Sequence, residues 1–379
     1  MTRKSFILVF LILLPVRAIN QETVKEADPV SILFIGDIMG HDTQIRSAYN
    51  SKTGSYDYNS VFSYIKNEIS EADITVANLE VTLAGPPYTG YPRFSSPAAL
   101  ASACLNAGID CLVTANNHAA DRDTQGIIRT IHTLDSIGIL HTGTFRNEAD
   151  RNTRNPLMIN RGGLTIALLS YTYGTNGIRV REPAIVNMID KTIIAKDINR
   201  AKSREPDLVV LFLHWGTEYE STPSQEQSDL AEYLFSHGAD LIIGSHPHVL
   251  QRMVWTKGDS EGKERFLVYS LGNFVSNQRK FRTDGGAMVR VNLTRQNDRW
   301  TIRDAGFYLT WVYSPFEGDG RGFYILPCSK FEKIPEFFSN PADYDQMRAF
   351  AKDSRSLLYN ENLNIPEYLY EDNAWRLYH

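Results

Sequence analysis

Two histidines one residue apart, His246 and His248, are the residues of this chain best suited to bind a metal ion. They follow the apolar run 241–243, which is typical of a buried strand, and the polar residues around them indicate a tight loop. Both imidazoles therefore leave the chain at one strand end, where they can reach the same ion.

Other residues with ligand-type side chains also follow short apolar runs. The carboxyl ends of parallel strands meet at one edge of an α/β sheet, so we expect these side chains to converge with the histidine pair. Each of them alone has a structural explanation, such as a helix cap or a turn, but five strand ends together favour a site. The additional residues are Asp37, Glu80, Asn117, His118 and His214.

The predicted donors are carboxylate, amide oxygen and imidazole, which suit Mn, Fe or Zn better than Ca or Cu(I). The set is larger than one ion needs, so we expect two divalent ions. Two ions about 3.5–4 Å apart can clamp an ester or amide during displacement. His118, next to Asn117, would then be free to act as an acid on the leaving group.

The elements that must position these residues alternate between strand and helix patterns. This alternation predicts a layered α/β fold with a mixed sheet. Predicted strands are 31–35, 74–77, 109–113, 164–170, 208–213 and 241–243, and predicted helices are 61–69, 97–107, 125–137, 189–202 and 225–237. Beyond residue 264 the pattern changes to strands of an antiparallel sheet, and residues 315–379 look less regular.

The amino-terminal residues resemble a signal peptide spanning residues 1–18. Arg3 and Lys4 precede a short apolar stretch, and a small-residue cleavage site ends at Ala18. An uncleaved membrane anchor is the alternative, but the stretch is shorter than the ~20 residues a spanning helix needs. We therefore expect an exported protein, periplasmic or at the cell surface.

From the charge balance we expect no nucleic-acid partner. The 379-residue chain has a net charge of −5 and no basic block. Three cysteines are present, so at least one is unpaired. A disulfide between Cys104 and Cys111 is compatible with export, and so is their burial as free thiols. No cysteine spacing fits a zinc–thiolate site.

Six ordered motifs within residues 31–280 resemble the CapA/PgsA family (capsule or poly-γ-glutamate biosynthesis proteins) of the calcineurin-like metallophosphoesterase superfamily. The motifs are Gly36-Asp37-Ile38-Met39, Asn78-Leu79-Glu80, Ala115-Asn116-Asn117-His118-Ala119-Ala120-Asp121, His214-Trp215-Gly216-Thr217-Glu218-Tyr219, Gly244-Ser245-His246-Pro247-His248-Val249-Leu250-Gln251 and Tyr269-Ser270-Leu271-Gly272-Asn273-Phe274.

The resemblance implies a four-layer α/β/β/α sandwich with two mixed sheets. It also implies that Glu80 is the bridging carboxylate and His118 the catalytic acid. The implied domains are 30–310, a metallophosphatase-type domain, and 311–379, a C-terminal extension packed on it. The other implied metal ligands are Asp37, Asn117, His214, His246 and His248.

The chain departs from the superfamily pattern at three positions. Met39 stands where a histidine ligand is usual, so the first metal could be weakly held or absent, and His41 is a nearby substitute. Glu80 is one methylene longer than the usual bridging Asp. Asp123 stands where the family often has glycine.

Two functions are compatible with these features. The first is a metal-dependent hydrolase or transferase acting on a phosphoester or on the amide backbone of a capsular γ-glutamyl polymer, with Arg93, Asn116 and Tyr173 as substrate-binding residues. Tyr171 and Asn176 could line the same cleft. The alternative is a non-catalytic component of a capsule-polymer synthesis and export complex, with membrane-bound synthesis proteins as partners. Met39 favours the alternative and His118 the enzyme.

Overall fold

The computed structural model describes residues 28–258, 264–318 and 320–378. The signal peptide predicted at residues 1–18 lies outside these ranges. Within them, no helix combines the length and apolar character that crossing a membrane would require.

The first of two large sheets has eight strands and is mixed. Its central strand pairs in parallel with one neighbour and antiparallel with the other, so a parallel half joins an antiparallel half. Across the sheet the strands are Tyr324–Pro327, Arg299–Tyr313, Gly285–Gln296, Val30–Ile38, Ile74–Leu79, Cys111–Val113 and Leu140–Thr142, and Asn273–Val275 pairs with Val30–Ile38.

The second sheet has six strands. Its four inner strands are parallel, and both edge strands are antiparallel to their neighbours. In order across the sheet they are Met253–Thr256, Arg265–Val268, Leu241–Ser245, Leu208–His214, Leu164–Thr172 and Leu157–Arg161.

Helices and short hairpins connect and cover the sheets. The α-helices are Asp42–Ala48, Lys66–Ser70, Ala99–Ala107, Asp123–Ile137, Glu148–Arg154, Lys191–Lys202, Gln225–His237, Cys328–Phe331 and Pro341–Glu361, with 3₁₀ turns at Asn59–Phe62 and Pro335–Phe337. Two-stranded pairs are Tyr49–Asn50 with Ser55–Tyr56, Thr144–Phe145 with Ile185–Val186, Phe316–Glu317 with Gly320–Arg321, and Tyr368–Glu371 with Ala374–Leu377.

Alternation along the central strand of the first sheet shows how the layers stack. Ile32 and Phe34 belong to a core shared with strands of the second sheet, whereas Leu33 and Ile35 pack with helix Ala99–Ala107 on the other face. The outer face of the second sheet packs on helices Lys191–Lys202 and Gln225–His237. Side chains of a strand alternate between faces, so these contacts define a helix–sheet–sheet–helix sandwich, as predicted.

Two local predictions were wrong. The segment predicted as one helix at 61–69 is a 3₁₀ turn followed by the short helix Lys66–Ser70. The C-terminal region is more regular than expected, because it contains the 21-residue helix Pro341–Glu361.

The strand Arg299–Tyr313 runs across residue 310, so the two predicted domains share one sheet.

The cysteines are all free and buried. Cys104 and Cys111 therefore act as small apolar side chains, which is the second of the two alternatives considered for them.

Candidate metal centre

The predicted ligands converge at one edge, where the strand ends of the two sheets face each other. Asp37 lies near the end of the first strand, Glu80 directly follows Ile74–Leu79, and His214 is the last residue of its strand. Two segments of the backbone come very close together here: a Cβ at Gly36 would lie 2.2 Å from the Gly272 carbonyl oxygen. Only glycine fits at that position.

Glu80 lies at the centre of the cluster and is fully buried. Its Oε1 is 3.5 Å from His214 Nε2 and 3.8 Å from His248 Nε2. Neither of its oxygens has a hydrogen-bond partner among the described residues. Burial, and next the nearby Asp37 carboxylate, raise the pKa of Glu80 well above its ordinary value.

Two sets of potential ligand atoms each lie within 4.8 Å of one another, and both contain Glu80. One set is Glu80, His246 and His248, and the other is Asp37, Glu80 and His214. A buried carboxylate without partners is costly unless a cation compensates it. His246 Nδ1 is also buried and has no hydrogen-bond partner within the residues that the structure describes. The donors present therefore fit one or two divalent transition metals that share Glu80.

His214 and His246 are held in the neutral form, which is the form that binds metals. Burial, and next the neighbouring imidazoles, lower the pKa of His214 well below its ordinary value. The same causes lower the pKa of His246 to about 3. Backbone geometry contributes to the orientation, because His246 and His248 both have positive φ, 101° and 59°. Such strain in non-glycine residues is typical of functional sites.

A set of polar residues orients the ligands from behind. Asn78 donates to Asp37 Oδ1 at 2.7 Å, and its Nδ2 is 3.3 Å from His214 Nδ1. Asn273 Oδ1 lies 3.0 Å from His248 Nδ1. Such outer contacts fix the ring orientation of metal-ligating histidines. Both asparagines stand inside motifs used for the resemblance, but no role was predicted for them.

The Asn117–His118 pair lies beside the centre. Asn117 Oδ1 is 3.0 Å from His214 Nε2, so the amide reaches the same space as the ligand atoms. His118 Nδ1 is 2.8 Å from Asp121 Oδ2, and its ring packs edge-on to Phe94 at 4.6 Å between centroids. Asp121 was not singled out from the sequence, although it stands three residues after His118.

Two of the three predicted substrate-binding residues lie where a substrate could reach them. Tyr173 is half exposed and its ring lies 4.5 Å from that of His246. Arg93 donates from Nε to the Asp121 main-chain oxygen and pairs with Asp123 at 3.3 Å. Asp123 has a φ of 56°, a left-handed conformation that favours glycine, the residue that the family resemblance led us to expect here.

Asn116 is differently placed from what a substrate-binding role requires. It is buried, its Nδ2 donates to Asn78 Oδ1 and the Leu79 carbonyl, and its Oδ1 accepts from the His118 N–H. All its polar atoms are engaged, so it acts by holding the loop.

Tyr171 is also buried, donating to Asp197, and does not line the cleft. Asn176 does reach the site, because its Oδ1 accepts a hydrogen bond from Asn117 Nδ2 at 3.2 Å.

Met39 and His41 do not join the ligand cluster. Met39 is buried in the apolar layer between the first sheet and its helices. His41 Nδ1 accepts from the Asn277 N–H at 3.2 Å, and burial lowers its pKa to about 4. Among the described residues, neither of the two potential ligand sets includes His41, so it does not replace the missing histidine.

Comparison with known proteins agrees with this arrangement. Residues 31–278, more than half of the chain, match the family described as bacterial capsule synthesis protein PGA_cap. The chain belongs to this family. The matched segment contains every predicted metal ligand and His118.

Two relatives have been named for capsule formation. The capsule biosynthesis protein CapA of Bacillus anthracis is 30% identical over 282 residues, covering 71% of this chain and 65% of that protein. The PGA biosynthesis protein CapA of Bacillus subtilis (strain 168) is 28% identical over 302 residues, covering 76% and 75%. The chain thus spans slightly less than two thirds of the B. anthracis protein.

Among solved structures, the calcineurin-like phosphoesterase YfkN from Bacillus subtilis aligns over 87% of this chain and 98% of its own, with a TM-score of 0.47 and 13% identity. The fold assignment comes from the sheet topology and layers described above, and does not depend on this likeness.

Proposed function

We propose that the protein is an exported, metal-dependent hydrolase or transferase that acts on a phosphoester or on the amide backbone of a γ-linked glutamate polymer in capsule formation. The observation that carries the proposal is Glu80, a buried carboxylate that has no hydrogen-bond partner in the described part of the chain and lies beside the imidazoles of His214 and His248. Without a bound cation this buried carboxylate would be uncompensated, so it supports the metal site on which the proposed chemistry depends.

The residues that would hold the ions are Glu80, shared between them, with His246 and His248 in one set and Asp37 and His214 in the other. Asn117 would add its amide oxygen beside His214. When bound, such ions act as Lewis acids that stabilise negative charge developing on the substrate. Mn, Fe and Zn all fit this donor set.

His118 would supply the proton for the leaving group. Asp121 engages its Nδ1, so Nε2 is the ring atom left to transfer a proton. The edge-on contact with Phe94 fixes the plane of the ring. Tyr173 and Arg93 would contact the substrate in different ways. The Tyr173 ring would pack against it, and the Arg93 guanidinium would bind a carboxylate or phosphate with two parallel hydrogen bonds.

The partners in this proposal are the capsule polymer, or a phosphoester precursor, and membrane-bound synthesis proteins. The predicted signal peptide would direct export and then be cleaved, and an uncleaved anchor is the alternative. Membership of the capsule synthesis family supports a role in capsule formation. The net charge of −5 gives no support for nucleic acid as a partner.

The second candidate is a non-catalytic component of the synthesis and export complex. The specific observation in its favour is Met39, which is packed among apolar side chains where a metal ligand is usual in the superfamily. Against it stands the buried His118–Asp121 pair, since a scaffold has no use for an oriented imidazole beside the ligands.

The decisive variant is His118→Ala, with His132→Ala as its control, because His132 is exposed on helix Asp123–Ile137. Both would be assayed with Mn²⁺ on an aryl phosphodiester and on a γ-linked glutamate oligomer. We expect His118→Ala to lose about 10²–10⁴-fold in kcat and the control to lose nothing. Equal activity of His118→Ala and wild type would remove the catalytic role, and an inactive wild type would favour the scaffold.

A further inference from the structure

A second concave surface lies next to the metal centre and has no place in the function proposed so far. It is a cavity of about 610 Å³ between the loop 277–284 and the C-terminal region, including the helix Pro341–Glu361. Three exposed cations line it: Arg279 and Lys280 from the loop, and Arg321 from the C-terminal region. We call it the basic cavity.

None of the three cations forms a direct ion pair with a described residue, although the Asp284 and Asp343 carboxylates attract the two arginines from a greater distance. Among the described residues, no carboxylate lies within ion-pair distance of any of them. Arg279 Nη1 donates to the Val312 carbonyl, and Arg321 Nη1 to the Ser314 carbonyl. The remaining guanidinium atoms are therefore available to a ligand, in a protein whose net charge is −5.

The lining also includes carboxyl and apolar groups. Asp284 accepts a hydrogen bond from Trp311 Nε1 at 2.8 Å, and Asp343 lies on the helix side. Phe281 and Phe350 add apolar surface. A compact ligand with two negative charges would be repelled by Asp284 and Asp343 while it was attracted by the cations. An extended ligand, with single carboxylates separated by methylene groups, can place its charges on the cations and its methylene groups on the apolar surface.

The loop that presents the cations is held in place. Arg282 makes a two-point contact with Asp353 on the C-terminal helix, through Nε at 2.6 Å and Nη2 at 2.9 Å. Thr283 donates from both N and Oγ1 to the Lys280 carbonyl. Arg282 keeps a positive φ of 69°, a conformation that the contact with Asp353 helps to fix. A preformed loop lowers the cost of binding a ligand.

The basic cavity adjoins the metal centre through side chains. Lys280 Nζ lies 4.1 Å from the ring centroid of Tyr219, and that ring lies 6.1 Å from the ring of His248. Asn273, which orients His248, donates to the Thr283 carbonyl in the same loop. One extended ligand can therefore reach both places.

We propose that the basic cavity is a substrate subsite that binds the carboxylates of an extended chain whose reacting bond lies at the metal centre. The proposal rests on the proposed function for the position of that bond. Lys280 and Arg321 contribute charge-assisted contacts, and Arg279 contributes a planar fork for a carboxylate. Recognition would thus extend beyond the reacting unit, into a region supplied partly by the C-terminal residues.

The test is binding of a fluorescent γ-linked glutamate octamer to the full chain supplied with Mn²⁺ and carrying His118→Ala, so that the probe stays intact. Lys280→Gln/Arg321→Gln is compared with Lys196→Gln/Arg295→Gln, which removes the same charge at exposed positions outside the cavity lining. We expect the first pair to weaken binding roughly tenfold or more, the second pair to leave it unchanged, and rising salt to weaken it. A neutral γ-linked glutamine octamer should not bind.

Equal binding by the two double variants, or no binding of the octamer, would overturn the subsite. Tight binding of a polyphosphate oligomer with no binding of the glutamate octamer would overturn the assignment to carboxylates. Because this readout does not need turnover, its failure is distinct from that of the proposed function, which depends on activity of the wild type.

Discussion

At the scale of single residues, Glu80 determines how the site behaves with and without metal. The carboxylate is buried, lacks hydrogen-bond partners among the described residues and lies beside His214, which burial keeps neutral. Such a group destabilises the metal-free protein and becomes favourable only with a cation bound. The contribution of Glu80 to the free energy of unfolding should therefore be unfavourable without metal and favourable with metal bound.

Glu80→Gln tests this change of sign, because glutamine has the same shape without the charge. In EDTA we expect the variant to melt at the same temperature as wild type or above it. With excess Mn²⁺ only wild type should gain stability, by the mass-action effect of binding to the folded state. Thermal melts with and without Mn²⁺ measure both. An equal Mn²⁺-induced rise in the two proteins would show that Glu80 is not a ligand.

The identity of the clustered residues could be predicted from the sequence, but the division of work among neighbours could not. Asn116 and Asn117 are adjacent and chemically identical, yet one holds the loop and the other faces His214. Successive side chains point in different directions, and only the path of the loop decides which reaches the centre. Asp121 and Asn273 act through hydrogen bonds across loops, for which the sequence carries no periodic signal.

At the scale of elements, most strands and helices follow from simple patterns. Apolar runs such as 241–243 become inner strands, and Gly138 and Gly238 end helices with positive φ. The helix Pro341–Glu361 was missed although its signals are present, since Asn340 caps it and Pro341 stands at its first position. The apolar spacing at 61–69 led to the wrong prediction of one continuous helix. Its first residues belong to the 3₁₀ turn Asn59–Phe62, and the α-helix begins only at Lys66.

The short helix Glu148–Arg154 has no buried residue, so its attachment depends on charge. Asp150 accepts hydrogen bonds from the Arg146 side chain and main chain, and pairs with Arg154. Burial alone would raise the pKa of Asp150, but the contacts with Arg146 outweigh burial and place it below its ordinary value.

We expect Asp150→Asn to lower the free energy of unfolding by roughly 1–3 kcal/mol at pH 7. Because the pKa is lower in the folded state, this contribution is complete above the ordinary Asp pKa of about 3.9 and is lost as the pH falls through the folded-state value. Urea unfolding at pH 7 and at pH 3 measures it. A difference from wild type that stayed constant between these pH values would contradict the ion-pair explanation.

At the scale of the whole molecule, the C-terminal region completes the fold as well as the basic cavity. Met347 and Leu358 of helix Pro341–Glu361 belong to the core shared by the two sheets. The segment just before the last hairpin is tied to the sheet as well, since the Phe307 N–H donates to the Pro366 carbonyl. The region therefore stabilises the layers that position the metal centre.

Met347→Ala should lower the free energy of unfolding by about 2–5 kcal/mol, the usual cost of truncating a fully buried side chain. Lys352→Ala on the same helix is the matched control, since Lys352 is exposed, and it should change stability little. Chemical unfolding of both variants provides the comparison. Equal, small effects would mean that the helix is peripheral to the core.

The central claim is that Glu80 and the histidines around it bind divalent metal, and metal content tests it most directly. Wild type purified without chelator would be measured by elemental analysis beside His246→Ala and the exposed-residue control His132→Ala. We expect about two transition-metal ions per chain in wild type and the control, and clearly fewer in His246→Ala. Wild type without bound metal, even after incubation with Mn²⁺, Fe²⁺ or Zn²⁺, would contradict it.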